Sequence, residues 1–454
     1  MKSSFYNLFF PIDTENFLLF NTLRSSLLRV DKEVKEVLEN ELFDKLPGDF
    51  VRIFKDNGIL IEDNFDEKEV FRYLFERGKH LSPTAGFHVI TTYACNLACT
   101  YCFEGMGNLT ADYMDLTGAE NVIKFIKKTT IGNNCNALSI ELYGGEPLLN
   151  FDIGYTILVE LSDWAKENGI HFSVNAITNG TLITEDIANK LSEFKSSILV
   201  TLDGPKEIHN RRRMYKGGRG TFDDIVKGLI IAKEHKLPTK VRINFDKENQ
   251  SYIPTLFDEL RSLSLEDVVI SIKPIFNSSP ACLSYPSSFQ DSVGITISDR
   301  LYEIARDKGF KTEEVPVLPT INVCSALHSS VFTVDPPGRL FKCAVLPPYE
   351  EFSVGEIDEK GEPRFNSLFY EMMRREPLTI DDCGSCKLVP ICGSGCLAIA
   401  LGRYKTPNKK VCMREAMMER LSKQCKYEWH KKNAHKLHQE PVLDTHLTNT
   451  HSEI

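Results

Sequence analysis

Cys95, Cys99 and Cys102 stand with three and then two residues between them, directly after the apolar run Phe87 to Ile90. A strand therefore hands over to a loop carrying three thiols. Thiolates at this spacing can wrap one face of an iron-sulfur cube and leave the fourth iron without a protein ligand, open to a small molecule. A structural zinc ion is the alternative, but its tetrahedron needs a fourth protein ligand, and the loop holds no further Cys or His. Seven more cysteines fall in the last third. Cys324 and Cys343 flank Gly338 with thirteen and four residues between; Cys383, Cys386, Cys392 and Cys396 follow with gaps of two, five and three; Cys412 closes the set. Both iron-sulfur clusters and zinc ribbons use such paired cysteines.

Polar motifs sit where strand-like runs end. Tyr143-Gly144-Gly145-Glu146-Pro147 follows one; glycines allow close backbone approach and a carboxylate can pair with an ammonium. Thr178-Asn179-Gly180 and Asp203-Gly204 end two more, although turn chemistry alone favours these residues. Arg242 and Asn244 share one face of a strand, where the guanidinium could clamp a carboxylate or form a buried structural ion pair. His209 to Arg213 carries three arginines and reads as a solvated basic face more readily than as a gripping loop.

The C-x3-C-x2-C loop, with Tyr101 before its last cysteine, resembles the signature of the radical S-adenosylmethionine (SAM) enzymes. The resemblance implies a 4Fe-4S cluster held by Cys95, Cys99 and Cys102, whose unique iron is chelated by SAM. One electron then cleaves a sulfonium bond and yields a 5′-deoxyadenosyl radical, able to abstract a hydrogen that no acid or base side chain could remove. It also implies that Gly144, Gly145, Glu146 and Pro147 form the motif binding the SAM amino group. Asn179 and Asp203 lie where family members contact the ribose and carboxylate, and Arg242 could clamp the SAM carboxylate. The seven later cysteines resemble the SPASM extension, which implies two auxiliary 4Fe-4S clusters: one on Cys324, Cys343 and Cys396, the other on Cys383, Cys386, Cys392 and Cys412. The first is one ligand short. Anaerobic sulfatase maturases, which share the extension, carry a further cysteine six residues before the first of the seven, where this chain has Leu318. Cys282 could reach in, but an open iron able to bind a substrate thiolate is preferred. Those maturases also carry a proton-accepting aspartate where this chain has Ala344.

The elements that must position these groups follow from hydrophobic period. Strands are expected at Phe87 to Ile90, Leu138 to Leu142, His171 to Ile177, Ile198 to Leu202, Lys240 to Phe245 and Val268 to Ile275. Helices are expected near Gly118 to Lys128, Tyr155 to Glu167, Thr184 to Phe194, Phe222 to His235 and Ile253 to Leu263. Six strand-helix repeats fit an α/β fold, a partial (β/α)6 TIM-like barrel with its site at the carboxyl ends of the strands. This barrel is assigned to residues 83–285 and the linker with the SPASM domain to 286–425. In residues 1–82, the runs Tyr6 to Ile12 and Phe17 to Val30, a helix from Asp31 to Leu42 and a last helix and strand around Phe50 to Gly58 suggest a winged-helix-like unit. It resembles the precursor-recognition domain of peptide-modifying radical SAM enzymes, implying a leader peptide bound as an added strand; a domain that merely packs on the barrel is the alternative. Residues 426–454 are polar, hold five of the eleven histidines and read as a disordered tail rather than a metal site.

The 454 residues suggest two to four domains. A net charge of -9 removes any global basic field for nucleic acid or anionic lipid. No secretion signal or membrane-length apolar run occurs, so a cytoplasmic location is expected and the cysteines read as ligands rather than disulfides. Together these features predict an oxidoreductase that joins a cysteine sulfur to a peptide carbon in a ribosomally made precursor (RiPP biosynthesis), the auxiliary clusters taking up the remaining electron. A one-electron reductant such as flavodoxin or ferredoxin would serve it. Carbon-carbon or carbon-oxygen crosslinking is the near alternative, formylglycine formation on a sulfatase the next, and a non-catalytic zinc-binding peptide adaptor the alternative of another class.

Overall fold

The computed structural model describes residues 1–104, 111–276, 283–290, 292–313 and 318–433. The front unit contains β1 (Lys2–Ser3), β2 (Asn7–Pro11), β3 (Asn16–Asn21), β4 (Ser26–Asp31), α1 (Lys32–Glu39), α2 (Gly48–Asp56), β5 (Leu60–Ile61) and α3 (Glu67–His80). Strands β2, β3 and β4 form an antiparallel meander, and β1 pairs with β5. The expected single run Phe17 to Val30 is two strands: Asn21 Oδ1 accepts from the backbone N–H groups of Leu23 and Arg24, and Ser25 takes a left-handed φ of 57°. An asparagine closing its own turn replaces the Gly or Pro that would have marked it. Asp31 caps α1, accepting from Val34 N–H at 2.7 Å. The helix α3, absent from the sequence reading, is capped by Asp66.

The repeats follow in the expected order: β6 (Thr84–Thr92), α4 (Leu116–Gly132), β7 (Ala137–Gly144), α5 (Phe151–Glu167), β8 (His171–Thr178), α6 (Glu185–Ser192), β9 (Ser196–Thr201), α7 (Lys206–Arg212), α8 (Phe222–Glu234), β10 (Thr239–Phe245), α9 (Ile253–Ser262) and β11 (Val269–Pro274). Strands β6 to β11 pair in parallel, each with the next, as strand-helix-strand connections require. Buried apolar residues of these strands and of α4, α5, α8 and α9 make one continuous core.

The sheet does not stop at the boundary expected at 285/286. After α10 (Val293–Asp307), β12 (Lys311–Thr312) extends one edge beside β11. At the other edge β13 (Val331–Val334) runs parallel to β6, and β14 (Arg339–Phe341), β15 (Gly355–Ile357) and β16 (Pro363–Phe365) continue antiparallel, giving eleven strands. Then come α11 (Ser367–Met373), α12 (Val389–Cys392), α13 (Leu397–Tyr404) and α14 (Arg414–Asn433). The last helix carries Tyr427 and Trp429 past the boundary drawn at 426, so that part of the expected tail is ordered; His435, His438, His446 and His451 lie outside the described residues. No described helix is long and apolar enough to cross a membrane.

A buried lysine joins α3 to the cysteine-rich region. Lys79 is fully buried, and its Nζ donates to the carbonyls of Met373 and Arg375 at 2.9 and 2.8 Å and to Glu76 at 2.6 Å. Lys79→Ala strands two carbonyls away from water and is expected to cost about 3 kcal/mol of stability, read as a lower midpoint in urea unfolding.

Candidate active site

The cysteine loop is held by backbone on two sides. On one, Gly145 N–H donates to Thr92 O at 3.1 Å and Glu146 N–H to Ala94 O at 2.9 Å. A Cβ on Gly145 would lie 2.4 Å from the carbonyl oxygens of both Tyr93 and Ala94, and one on Gly144 2.4 Å from that of Thr92. The two glycines thus permit the close approach expected of them, with the loop's own backbone as the partner. On the other side, Ala98 N–H donates to Met214 O and Thr100 N–H to Arg212 O, at 2.8 and 3.0 Å.

Cys95, Cys99 and Cys102 line one cavity of about 400 Å³, with Tyr101, Phe103, Glu104, Gly144, Gly145, Asn179, Arg213, Arg242, Asn244 and Lys273 among its other walls. Burial pushes the Cys95 thiol up to about 12 and raises Cys99 and Cys102 as well. Such thiols ionise only against a compensating cation, as metal ligation supplies. Among the described residues no three Cys, His, Asp or Glu side chains converge to share one ion. A single zinc ion would need sulfurs about 3.8 Å apart, from a bond of about 2.3 Å in a tetrahedron, whereas a cube spreads its ligands over separate irons.

The expected contacts divide. Arg242 and Asn244 open onto the cavity from one face of β10, and Arg242 Nε is enclosed without a partner. Glu146 does not line the cavity: its buried carboxylate accepts from Thr178 Oγ1 at 2.7 Å and from the N–H groups of Asn179 and Leu148 at 2.6 and 3.1 Å. Pro147 opens a short 3-10 turn behind it. Asn179 lines the cavity, but its side chain is engaged by Asn96 and Thr181. Asp203 is fully buried, accepting from Tyr101 Oη and from Asn244 N–H. Glu146, Pro147 and Asp203 shape the site's walls from behind.

The arginine run is a correction to the sequence reading. Arg212 and Arg213 are buried, and only Arg211 is exposed. Arg212 pairs with Asp246 at 2.8 Å and its guanidinium lies 5.0 Å from the Tyr101 ring centroid, while Arg213 donates to Tyr101 Oη at 2.9 Å. The run reads as surface because its anionic partners come from other strand ends. His209, buried beneath it, accepts from Asp203 N–H through Nδ1 at 3.1 Å and lies 3.0 Å from Thr221 Oγ1 through Nε2. Burial and the two arginines hold its pKa well below the ordinary histidine value. Sequence reasoning also missed Glu104, fully enclosed on the cavity wall with one oxygen unpartnered and pushed by burial up to about 8.

The later cysteines fall into two neighbourhoods. Cys383, Cys386, Cys392 and Cys412 line one small pocket. Cys324, Cys343 and Cys396 act on one another, burial pushing Cys343 up to about 12. Between Cys392 and Cys396, Gly393, Ser394 and Gly395 are all left-handed, with φ of 61°, 65° and 84°. Leu318 packs in an apolar cluster with Phe10 and Leu388, and Cys282 lies outside the described residues. Ala344 packs with Ile90, Tyr93 and Tyr143. Cys135 and Cys425 are buried, as expected of isolated cysteines.

Residues 89–260 match the profile of the Radical SAM superfamily. These residues form a radical SAM domain, and the chain is an enzyme with SAM and a 4Fe-4S cluster as its cofactors. It is similar to the radical SAM cyclopropyl synthase TigE of Paramaledivibacter caminithermalis, 23% identical over 439 residues that cover 86% of this chain and 88% of that protein. It is 24% identical over 343 residues to the cysteine-type anaerobic sulfatase-maturating enzyme of Clostridium novyi, covering 69% and 86%. Structures of Streptococcus suis SuiB bound to SAM and to the precursor peptide SuiA share its fold at TM-scores of 0.53 and 0.52, with 16% identity; they cover 91% and 90% of this chain and 99% and 98% of theirs.

Two outcomes test the site. Gly145→Ala must push the cysteine loop away and is expected to lower SAM cleavage, measured as 5′-deoxyadenosine released, about tenfold or more. Because His209 has a lower pKa folded than unfolded, the unfolded chain binds more protons below about pH 6.5, so stability falls with pH there by up to about 1.4 kcal/mol per unit. His209→Gln is expected to flatten that slope in unfolding measured from pH 7 to 5.

Proposed function

We propose that this chain is a peptide maturase that removes a hydrogen from a residue of a ribosomally made precursor and closes a thioether from a cysteine sulfur to that carbon. The observation that carries the radical step is the opening of three partly buried thiols and the Gly144-Gly145 backbone onto one cavity. Cys95, Cys99 and Cys102 would hold the cluster, and the cavity walls at Arg242, Asn244 and Arg213 would receive SAM, with Arg242 free to meet its carboxylate. When bound, this pair supplies the carbon radical that takes the substrate's hydrogen. Phe103, Ile275, Phe276 and Val345 on the same walls would keep water from a radical formed there.

The thioether reading is supported by the grouping of Cys324, Cys343 and Cys396, which act on one another; three thiols on a cube would leave one iron open to a substrate thiolate. Cys383, Cys386, Cys392 and Cys412 would hold the second auxiliary cluster. Ala344, in an apolar wall, speaks against the sulfatase reaction as those maturases perform it. The front unit would bind the leader as an added strand on its three-stranded sheet, and residues 1–82 would form the recognition domain. SuiB's structure with SuiA is the supporting likeness. A second reading, carbon-carbon bond formation, is favoured by the near full-length match to a cyclopropyl synthase.

Co-expression with a cysteine-containing precursor peptide from an adjacent reading frame separates the two. Both products lose two hydrogens, but the thioether also consumes one thiol, so a product lacking one alkylatable cysteine is expected. A dehydrogenated peptide with every thiol still reactive would establish the carbon-carbon reading instead.

A further inference from the structure

Among the described residues, Arg375 is a buried cation that forms no ion pair with a carboxylate. Arg375, which follows α11, is 1% exposed. Its Nη2 donates to the carbonyl of Ser394 at 3.2 Å, and Nη1 is enclosed without an acceptor. Its backbone is pinned in place, because Lys79 Nζ holds its carbonyl at 2.8 Å. A guanidinium stays buried only where something anionic offsets its lost hydration.

The charges that bear on it are those of cysteines. The charge of Arg375 acts on Cys324 and Cys396 from the group of three and on Cys383 and Cys392 from the group of four. Ser394, whose carbonyl it holds, lies between Cys392 and Cys396, the point where the two groups meet in the chain. Ser394 Oγ in turn donates to Pro377 O at 3.0 Å, tying this loop to the segment just after Arg375. The arrangement places one fixed cation, with an unused N–H group, between two sets of thiols.

We propose that Arg375 is the shared counter-cation of both auxiliary clusters and sets their reduction potentials, acting as a positioning residue that touches neither SAM nor substrate. This rests on the two-cluster reading above. A cluster becomes more negative when it takes an electron, so a nearby cation and N–H donor favour the reduced form and raise the potential. Without that cation, the second electron store in the interior would be harder to fill.

The test is an anaerobic redox titration by EPR on the full chain, in a background where Cys95, Cys99 and Cys102 are Ala so that only auxiliary signals remain. In Arg375→Gln, at the original midpoint, the reduced-to-oxidised ratio of both clusters is expected to fall about tenfold, equivalent to about 59 mV for a one-electron couple. Arg375→Lys keeps the charge and loses the fork, and is expected to shift less. Unmoved midpoints with full iron content overturn the proposal. If Arg375→Gln does not hold iron, the unsubstituted side chain is probed with guanidino-¹⁵N arginine. A nitrogen coupling on the reduced auxiliary signals that disappears in Arg375→Lys is expected, and its absence overturns the proposal. Mössbauer counting on the same samples separates the two layers: no auxiliary cluster removes the underlying reading, whereas two clusters with unmoved midpoints remove only the role of Arg375.

Discussion

The tightest constraint in the molecule is the contact between two stretches of backbone. Gly144 and Gly145, at the end of β7, lie against Thr92, Tyr93 and Ala94 with no room for a Cβ. Everything chemical hangs from this contact: it fixes where the chain leaves β6, hence where the three thiols point, and it delivers Glu146 to the place where its carboxylate braces Thr178 and Asn179 at the end of β8. A motif that looks like a ligand grip is also the joint between three successive strand ends. Backbone-to-backbone joints of this sort are stiff, since neither partner has a side chain that can rotate away.

Around that joint the interior is populated by ions rather than by grease. Tyr101, Asp203, Arg213 and Asn244 share hydrogen bonds, while Arg212, Asp246 and Tyr285 form a second knot beside them. Each charge is expensive to bury and is accepted because an opposite charge or a donor meets it. The resulting site is preorganised: its positive and negative groups are locked by one another, leaving a few, such as Arg242, with capacity to spare.

Much of this was legible in the sequence, for reasons that are local. The six strand-helix repeats announce themselves because a strand covered on both faces is a continuous apolar run and its helix has a different period. The cysteine spacings are local too, and so is the alternation that puts Arg242 and Asn244 on one face. What could not be read depends on distance along the chain. Arg212 and Arg213 look like surface until Asp203, Asp246 and Tyr101 are brought to them. The inward bracing of Glu146 depends on a loop some thirty residues away. The turn at Thr22 to Ser25 was hidden because Asn21 does the work of a glycine, and α3 was missed although Asp66 caps it. Arg375 gives no local signal, since the charges that bear on it are those of cysteines gathered from three separate segments.

Strand β6, which launches the cysteine loop, is flanked by β7 on one side and by β13 on the other. The cysteine-rich region is therefore stitched into the same, mostly parallel sheet, and β13 covers a row of main-chain groups that would otherwise face outward as a sticky border. Shortening the chain ahead of that strand would expose this border next to the cysteine loop and invite self-association, so the two regions have to be inherited, expressed and engineered as a unit.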